Sequence, residues 1–240
     1  MDDNERESIN SLKEDEPRPT KTISSIQKFF AEFIGTAFLV FVVTGISIFN
    51  VGGDGSFEAP FVLTSMIYVF GRISGAHFNP AVTIPMFLRK KITVIECGYY
   101  ICAQLLGAFL GSTFVGLCHR GNFKNLAGNE IWEEGGWVYF SCFFIEILLT
   151  FCLVFVIFAS TVKKNNFGNL TGLIVGTTLY FLGITGSHVS GGSLNPARSI
   201  APAVIMAIMG ETGPIKQLWL YIIAPIIGGV IAGYLSLIFE

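Results

Sequence analysis

The chain has 240 residues, of which 13% are charged, 52% hydrophobic and 14% aromatic, and its net charge is −2. Soluble domains carry about 25% charged residues, so this composition, with a mean hydropathy of +0.63, excludes an ordinary soluble domain and points to an integral membrane protein. The five cysteines, at 97, 102, 118, 142 and 152, show no CxxC or metal-ligand spacing. Most lie in apolar runs and read as buried packing residues, so no metal, cofactor or disulfide framework is expected.

Residues 1–28 are polar, carry both signs of charge and include Pro17 and Pro19. They read as a disordered tail rather than a secretory leader, leaving 29–240 as the membrane domain. A helix crossing the bilayer core needs about 20 mostly apolar residues. Such runs lie near 29–50, 60–76, 94–117, 137–160, 169–187 and 217–239. Two more, 79–88 and 195–208, are too short to cross and suit re-entrant segments. Each begins at the same tripeptide, Asn79-Pro80-Ala81 in one and Asn195-Pro196-Ala197 in the other. Proline there fits the first turn of a helix, where its missing N–H is no loss.

Basic residues set the topology. Arg6, Lys13, Arg18, Lys21 and Lys28 lie in the tail, Arg89, Lys90 and Lys91 after the first short segment, and Lys163 and Lys164 between spans four and five. Because cytoplasmic loops carry the lysine and arginine excess, both termini are expected in the cytoplasm. The sequon Asn169-Leu170-Thr171 would then face the cytoplasm and stay unused.

The two halves repeat. Residues 29–36 (FFAEFIGT) match 143–150 (FFIEILLT), which makes Glu32 and Glu146 equivalent, and Tyr100–Gly107 resembles Tyr221–Gly228. Three full spans per half is an odd number, so the second half inserts upside down. The units run over about 29–117 and 137–239, and a functional site is expected near the midplane between them. The expected fold is therefore an all-α membrane protein with six transmembrane helices and two re-entrant half-helices in an inverted repeat.

Two half-helices meeting N-terminus to N-terminus bring together two partial positive charges of about half a unit each, a barrier to cations. Asn79 and Asn195 would offer amide donors to a passing oxygen while also capping their helices. Arg198 follows the second motif where the first has Val82. A guanidinium inside a membrane segment is a functional candidate by default. Glu32 and Glu146, as buried carboxylates, need donors, and the backbone N–H groups of the re-entrant loops are the natural ones. His77 reads as a loop histidine hydrogen-bonded near the first motif, with pH sensing as the alternative. The pairs Gly107/Gly111, Gly172/Gly176 and Gly229/Gly233 suit close helix packing.

Residues 74–83 (SGAHFNPAVT) and 190–199 (SGGSLNPARS) resemble the paired signatures of the major intrinsic protein family, the aquaporins and aquaglyceroporins, and the likeness covers roughly 29–239. The resemblance implies a homotetramer with one pore per protomer and an aromatic/arginine constriction. By position that constriction falls on Ala59, Gly183, Gly192 and Arg198, with Phe57 or Phe61 as alternatives to Ala59. Strict water channels place Phe, His and Cys or Thr where this chain has three small residues. Ser199, Ala203 and Tyr221 resemble the water-channel pattern, whereas Ile222 resembles the glycerol-channel one. The expected function is a passive water channel, also permeable to small uncharged solutes and excluding protons and ions. The alternative is a facilitator of glycerol, urea, ammonia or metalloid acids with water flux secondary. Water, neutral solutes and the lipid bilayer are the expected partners, with no nucleic acid, and a plasma membrane the expected location. No nucleophile–base pair suggests an enzyme, and apart from Glu32, Glu146 and Arg198 the span cores are nearly free of the ionisable residues a coupled transporter needs.

Overall fold

A computed structural model describes residues 22–49, 59–131, 135–161 and 168–239, with Ala59 and Pro60 described by backbone alone. The tail to residue 21, Phe57, Lys163, Lys164 and the side chain of Ala59 lie outside the described residues. In chain order the elements are α1 (Ser25–Phe49), α2 (Ala59–Ser74), α3 (Pro80–Leu88), α4 (Val94–Cys118), α5 (Gly136–Thr161), α6 (Thr171–Ser187), α7 (Pro196–Ile208) and α8 (Gly213–Leu235). Single 3-10 turns precede α6 (Gly168–Leu170) and follow α8 (Ser236–Phe239). No strand occurs among the described residues.

The first helix starts earlier than composition suggests. Ser25 to Lys28, assigned to the tail, are helical. The cause is local: Ser24 N–H donates to Gln27 Oε1 at 2.9 Å and Gln27 N–H to Ser24 Oγ at 3.3 Å, a reciprocal cap that supplies two of the unpaired first-turn groups. Lys28 Nζ then reaches Glu96 Oε1 at 2.6 Å. Glu96 is itself fixed in a capping box with Thr93 at the start of α4.

The repeat is visible in packing. α1 lies along α4, and α5 lies along α8. A Cβ on Gly107 of α4 would collide with the Phe33 carbonyl of α1, and one on Gly228 of α8 would collide with the Ile147 carbonyl of α5. Phe33 and Ile147 occupy matching places in the two halves, so the same backbone-to-backbone approach is made twice. Between membrane helices, where no water is excluded, such close packing is a principal source of association.

α2 and α6, of 16 and 17 residues, are shorter than the spans expected there and pack on each other and on α1 and α5 respectively. α3 and α7 have 9 and 13 residues, about 14 and about 20 Å at 1.5 Å per residue, well short of the roughly 30 Å hydrocarbon core. They are half-helices, as the inverted repeat requires.

The packing role expected for the cysteines holds for only two. All are free thiols, Cys97 and Cys142 are buried, and Cys102, Cys118 and Cys152 are exposed. In a lipid-facing bundle an apolar run covers both the inner and the outer face of a helix, so apolar neighbours do not imply burial.

Candidate functional site

The non-helical segments before α3 and α7 meet in the middle of the molecule, and two buried carboxylates hold them. Glu32 accepts from Ser74 Oγ at 2.6 Å, His77 N at 3.0 Å, Phe78 N at 2.7 Å and Gln104 Nε2 at 2.8 Å. Glu146 accepts from Ser190 Oγ at 2.7 Å, Ser193 N at 2.8 Å and Leu194 N at 2.9 Å. Both glutamates have no exposed surface, so each satisfied donor offsets a large desolvation cost. Two consecutive N–H groups converge on each carboxylate because the loop backbone is turned over at matching places. Phe78 and Leu194 have φ of 51° and 54°, and Gly75 and Gly191 of 90° and 78°. A left-handed conformation at a non-glycine costs about 1–2 kcal/mol, and here it makes an anion nest.

Tyrosines close the frame. Tyr100 Oη donates to the Ser74 carbonyl at 2.7 Å, and Tyr221 Oη to the Ser190 carbonyl at 2.8 Å. One piece has no counterpart: Gln104, which bridges Glu32 and Thr83 Oγ1, corresponds to Pro225 in the second half. His77 is buried, 3.2 Å from Thr83 Oγ1 through Nδ1 and edge-on to Tyr100, in the hydrogen-bonded loop position. His188, at the end of α6, is exposed.

The two motifs are joined by crossed bonds. Asn79 Nδ2 donates to the Leu194 carbonyl at 2.8 Å, and Asn195 Nδ2 donates to the Phe78 carbonyl at 2.9 Å. Each Oδ1 meanwhile caps its own helix, accepting from Ala81 N at 2.8 Å in one half and Ala197 N at 3.0 Å in the other. Pro80 and Pro196 fill the first helical position. The amide oxygen and one of the two amide hydrogens are thus committed to structure, and one N–H per asparagine is left for a guest.

Both asparagines border a cavity of about 390 Å³. One wall is built twice, with two aliphatic residues and a hydroxyl each time: α1 supplies Leu39, Val43 and Ser47, and α5 the equivalent Leu153, Ile157 and Thr161. Arg198 also borders it, 7% exposed, with Nη1 donating to the Ala127 carbonyl at 3.1 Å. It is held inside the protein and does not snorkel to the surface. Ser199 Oγ donates to Asn129 Oδ1 at 2.8 Å, and Asn129 Nδ2 to the Gly191 carbonyl at 3.3 Å, so the segment before α5 is laced over the second motif. Nothing in the sequence singles out Ala127 or Asn129 for this role.

Of the residues expected at a constriction, Gly183, Gly192 and Arg198 all border the cavity. A Cβ on Gly183 would meet nothing within 4 Å, whereas one on Gly192 would lie 3.2 Å from the Gly183 carbonyl oxygen. Gly192 also has φ of 57°. Phe61 is 63% exposed and is not on the cavity wall. Sequence reasoning passed over Tyr180, Ser187 and Thr171, which line the cavity from α6.

A family model described as major intrinsic protein matches residues 19–236. The chain is 37% identical to the glycerol uptake facilitator protein-like 6 of Lactiplantibacillus plantarum, over 87% of this chain and 96% of that one. It is 33% identical to nodulin-26 of Glycine max, over 87% and 76%, and 35% identical to aquaporin NIP1-1 of Zea mays, over 87% and 73%. Among solved structures, the X-ray structure of the aquaglyceroporin from Plasmodium falciparum superposes with a TM-score of 0.77 at 25% identity, covering 88% of this chain and 95% of that one.

Proposed function

Because the chain belongs to the major intrinsic protein family, whose members are channels and not enzymes, we propose that it conducts water passively, admits small uncharged solutes, and excludes protons and ions. The observation that carries this reading is the crossed asparagine pair on the cavity wall. Those bonds bring the N-terminal ends of α3 and α7 together, and their dipoles sum to about one positive charge. At about 4 Å and an effective dielectric constant of about 20, one unit charge opposes a cation by about 4 kcal/mol, roughly a thousandfold in rate. Arg198 adds a full charge on the same path. The remaining N–H of each amide donates to the oxygen of a passing water, so that water's hydrogens point away along the file in both directions and a continuous proton wire is broken.

The solute preference follows from Gly183 and Gly192. With no side chain at either place the passage beside Arg198 is wide, which supports entry of molecules larger than water and keeps the facilitator reading for glycerol, urea, ammonia or metalloid acids as the alternative. Names among the relatives point the same two ways, to aquaporins and to a glycerol uptake facilitator. The pore reading assigns Asn79, Pro80, Ala81, Asn195, Pro196 and Ala197 to the central station, and Ala59, Gly183, Gly192 and Arg198 to the constriction. Glu32 and Glu146 serve as the structural carboxylates. A homotetramer with cytoplasmic termini in a plasma membrane completes it.

Osmotic swelling of reconstituted vesicles tests the proposal. Water flux above protein-free vesicles, with glycerol and urea following and no proton leak, is the expected result. Glycerol flux without appreciable water flux would reverse the two readings, and flux of neither would end both.

A further inference from the structure

We infer that Tyr180 is a specificity-determining residue of this pore, its ring standing in for the bulk that Gly183 and Gly192 lack. The inference rests on the channel reading above and adds a residue to it. Thr171, Val175, Leu179, Gly183 and Ser187 border the cavity from α6 at a strict spacing of four. Tyr180 borders it too, three residues before Gly183 and seven before Ser187, on the same helix face. Its neighbour Phe181 is 66% exposed and packs edge-on against it with ring centroids 5.1 Å apart, so the outer ring buttresses the one that borders the cavity.

The depth of the ring follows from the helix. Gly192 lies against the last turns of α6, since a Cβ there would sit 3.2 Å from the Gly183 carbonyl oxygen and 3.5 Å from Ser187 N. Three residues back along α6 is about 4.5 Å, and helical side chains lean toward the N-terminus. Tyr180 therefore occupies the stretch between the Gly183–Gly192 level and the start of α6. Among the described residues it is the one phenyl-type ring on a wall otherwise made of aliphatic and small polar side chains. Gly183 gives solutes room at its own level, and about 4.5 Å back toward the start of α6 the Tyr180 ring takes room back.

The test is swelling of vesicles containing the full chain, with glycerol, erythritol and xylitol as probes of increasing length and water flux as the internal reference. Tyr180→Ala is expected to raise the xylitol-to-glycerol flux ratio about tenfold, the scale on which pocket size discriminates neighbouring homologues. Tyr180→Phe, which keeps the ring, is expected to hold the wild-type ratio. If Tyr180→Ala does not reconstitute, Tyr180→Leu carries the same expectation with a smaller rise. An unchanged ratio in the alanine or leucine variant overturns the inference, as does a phenylalanine variant that behaves like alanine. A wild-type protein that passes no solute and no water would instead remove the channel reading itself, so the two failures are distinct.

Discussion

Replacing Glu146 with alanine should loosen the second motif more than any change at a lipid-facing position. The substitution removes the acceptor for Ser193 N, Leu194 N and Ser190 Oγ. The serine hydroxyl can rotate to another partner, but the two peptide N–H groups belong to a fixed left-handed turn and are left buried and unpaired. At about 1–3 kcal/mol each, the loss is about 2–6 kcal/mol. A chain of this size loses about 2–4 °C per kcal/mol, so the apparent Tm should fall on the order of 10 °C. Glu146→Gln keeps one acceptor oxygen and should lose about half as much. The assay is heating in detergent followed by size-exclusion recovery of monodisperse protein, with vesicle swelling on the same samples. Water flux per folded molecule should drop as well, because Leu194 also supplies the carbonyl that holds Asn79. A Glu146→Ala protein that melted within about 2 °C of wild type and conducted fully would refute the claim that this carboxylate is what holds the loop.

Four other substitutions read out different parts of the structure. A Cβ at Gly183 meets nothing within 4 Å, so Gly183→His should fold while cutting glycerol flux about tenfold relative to water; Gly192→Cys would impose a side chain on a left-handed residue at about 1–2 kcal/mol and is the poorer probe. Gly228→Val should sharply reduce the yield of monodisperse protein, because its Cβ would collide with the Ile147 carbonyl, whereas Gly98→Ala on α4, where a Cβ meets nothing within 4 Å, should leave the yield unchanged.

The half-helices were the most legible elements, expected at 79–88 and 195–208 and observed as Pro80–Leu88 and Pro196–Ile208, because an Asn cap with proline at the first position marks a helix start in the sequence itself. The span pattern was legible for the same reason that it is physical: in lipid a helix satisfies all its backbone groups within one segment, so each span is a continuous apolar run of the chain. The start of α1 was not, since Lys28 looks like tail until Glu96, 68 residues away, pairs with it. Cysteine exposure was not legible either, because composition does not distinguish the lipid face from the packed one. Nor was Tyr180, one aromatic among many in an apolar run, whose place on the cavity wall depends on how α6 is rotated. Ser74 and Ser190 open the two motif segments in the sequence, but their bonds to Glu32 and Glu146 depend on a loop reversal that only the assembled halves impose.

The crossed asparagine bonds also bear on how the molecule is made. The Asn79 amide finds its acceptor 115 residues later in the chain, which at about 5–20 residues per second of synthesis is on the order of ten seconds. Throughout that interval the first half sits in the bilayer with a polar tip lacking its mate, so the emerging polypeptide is most vulnerable to quality-control proteolysis before Leu194 arrives.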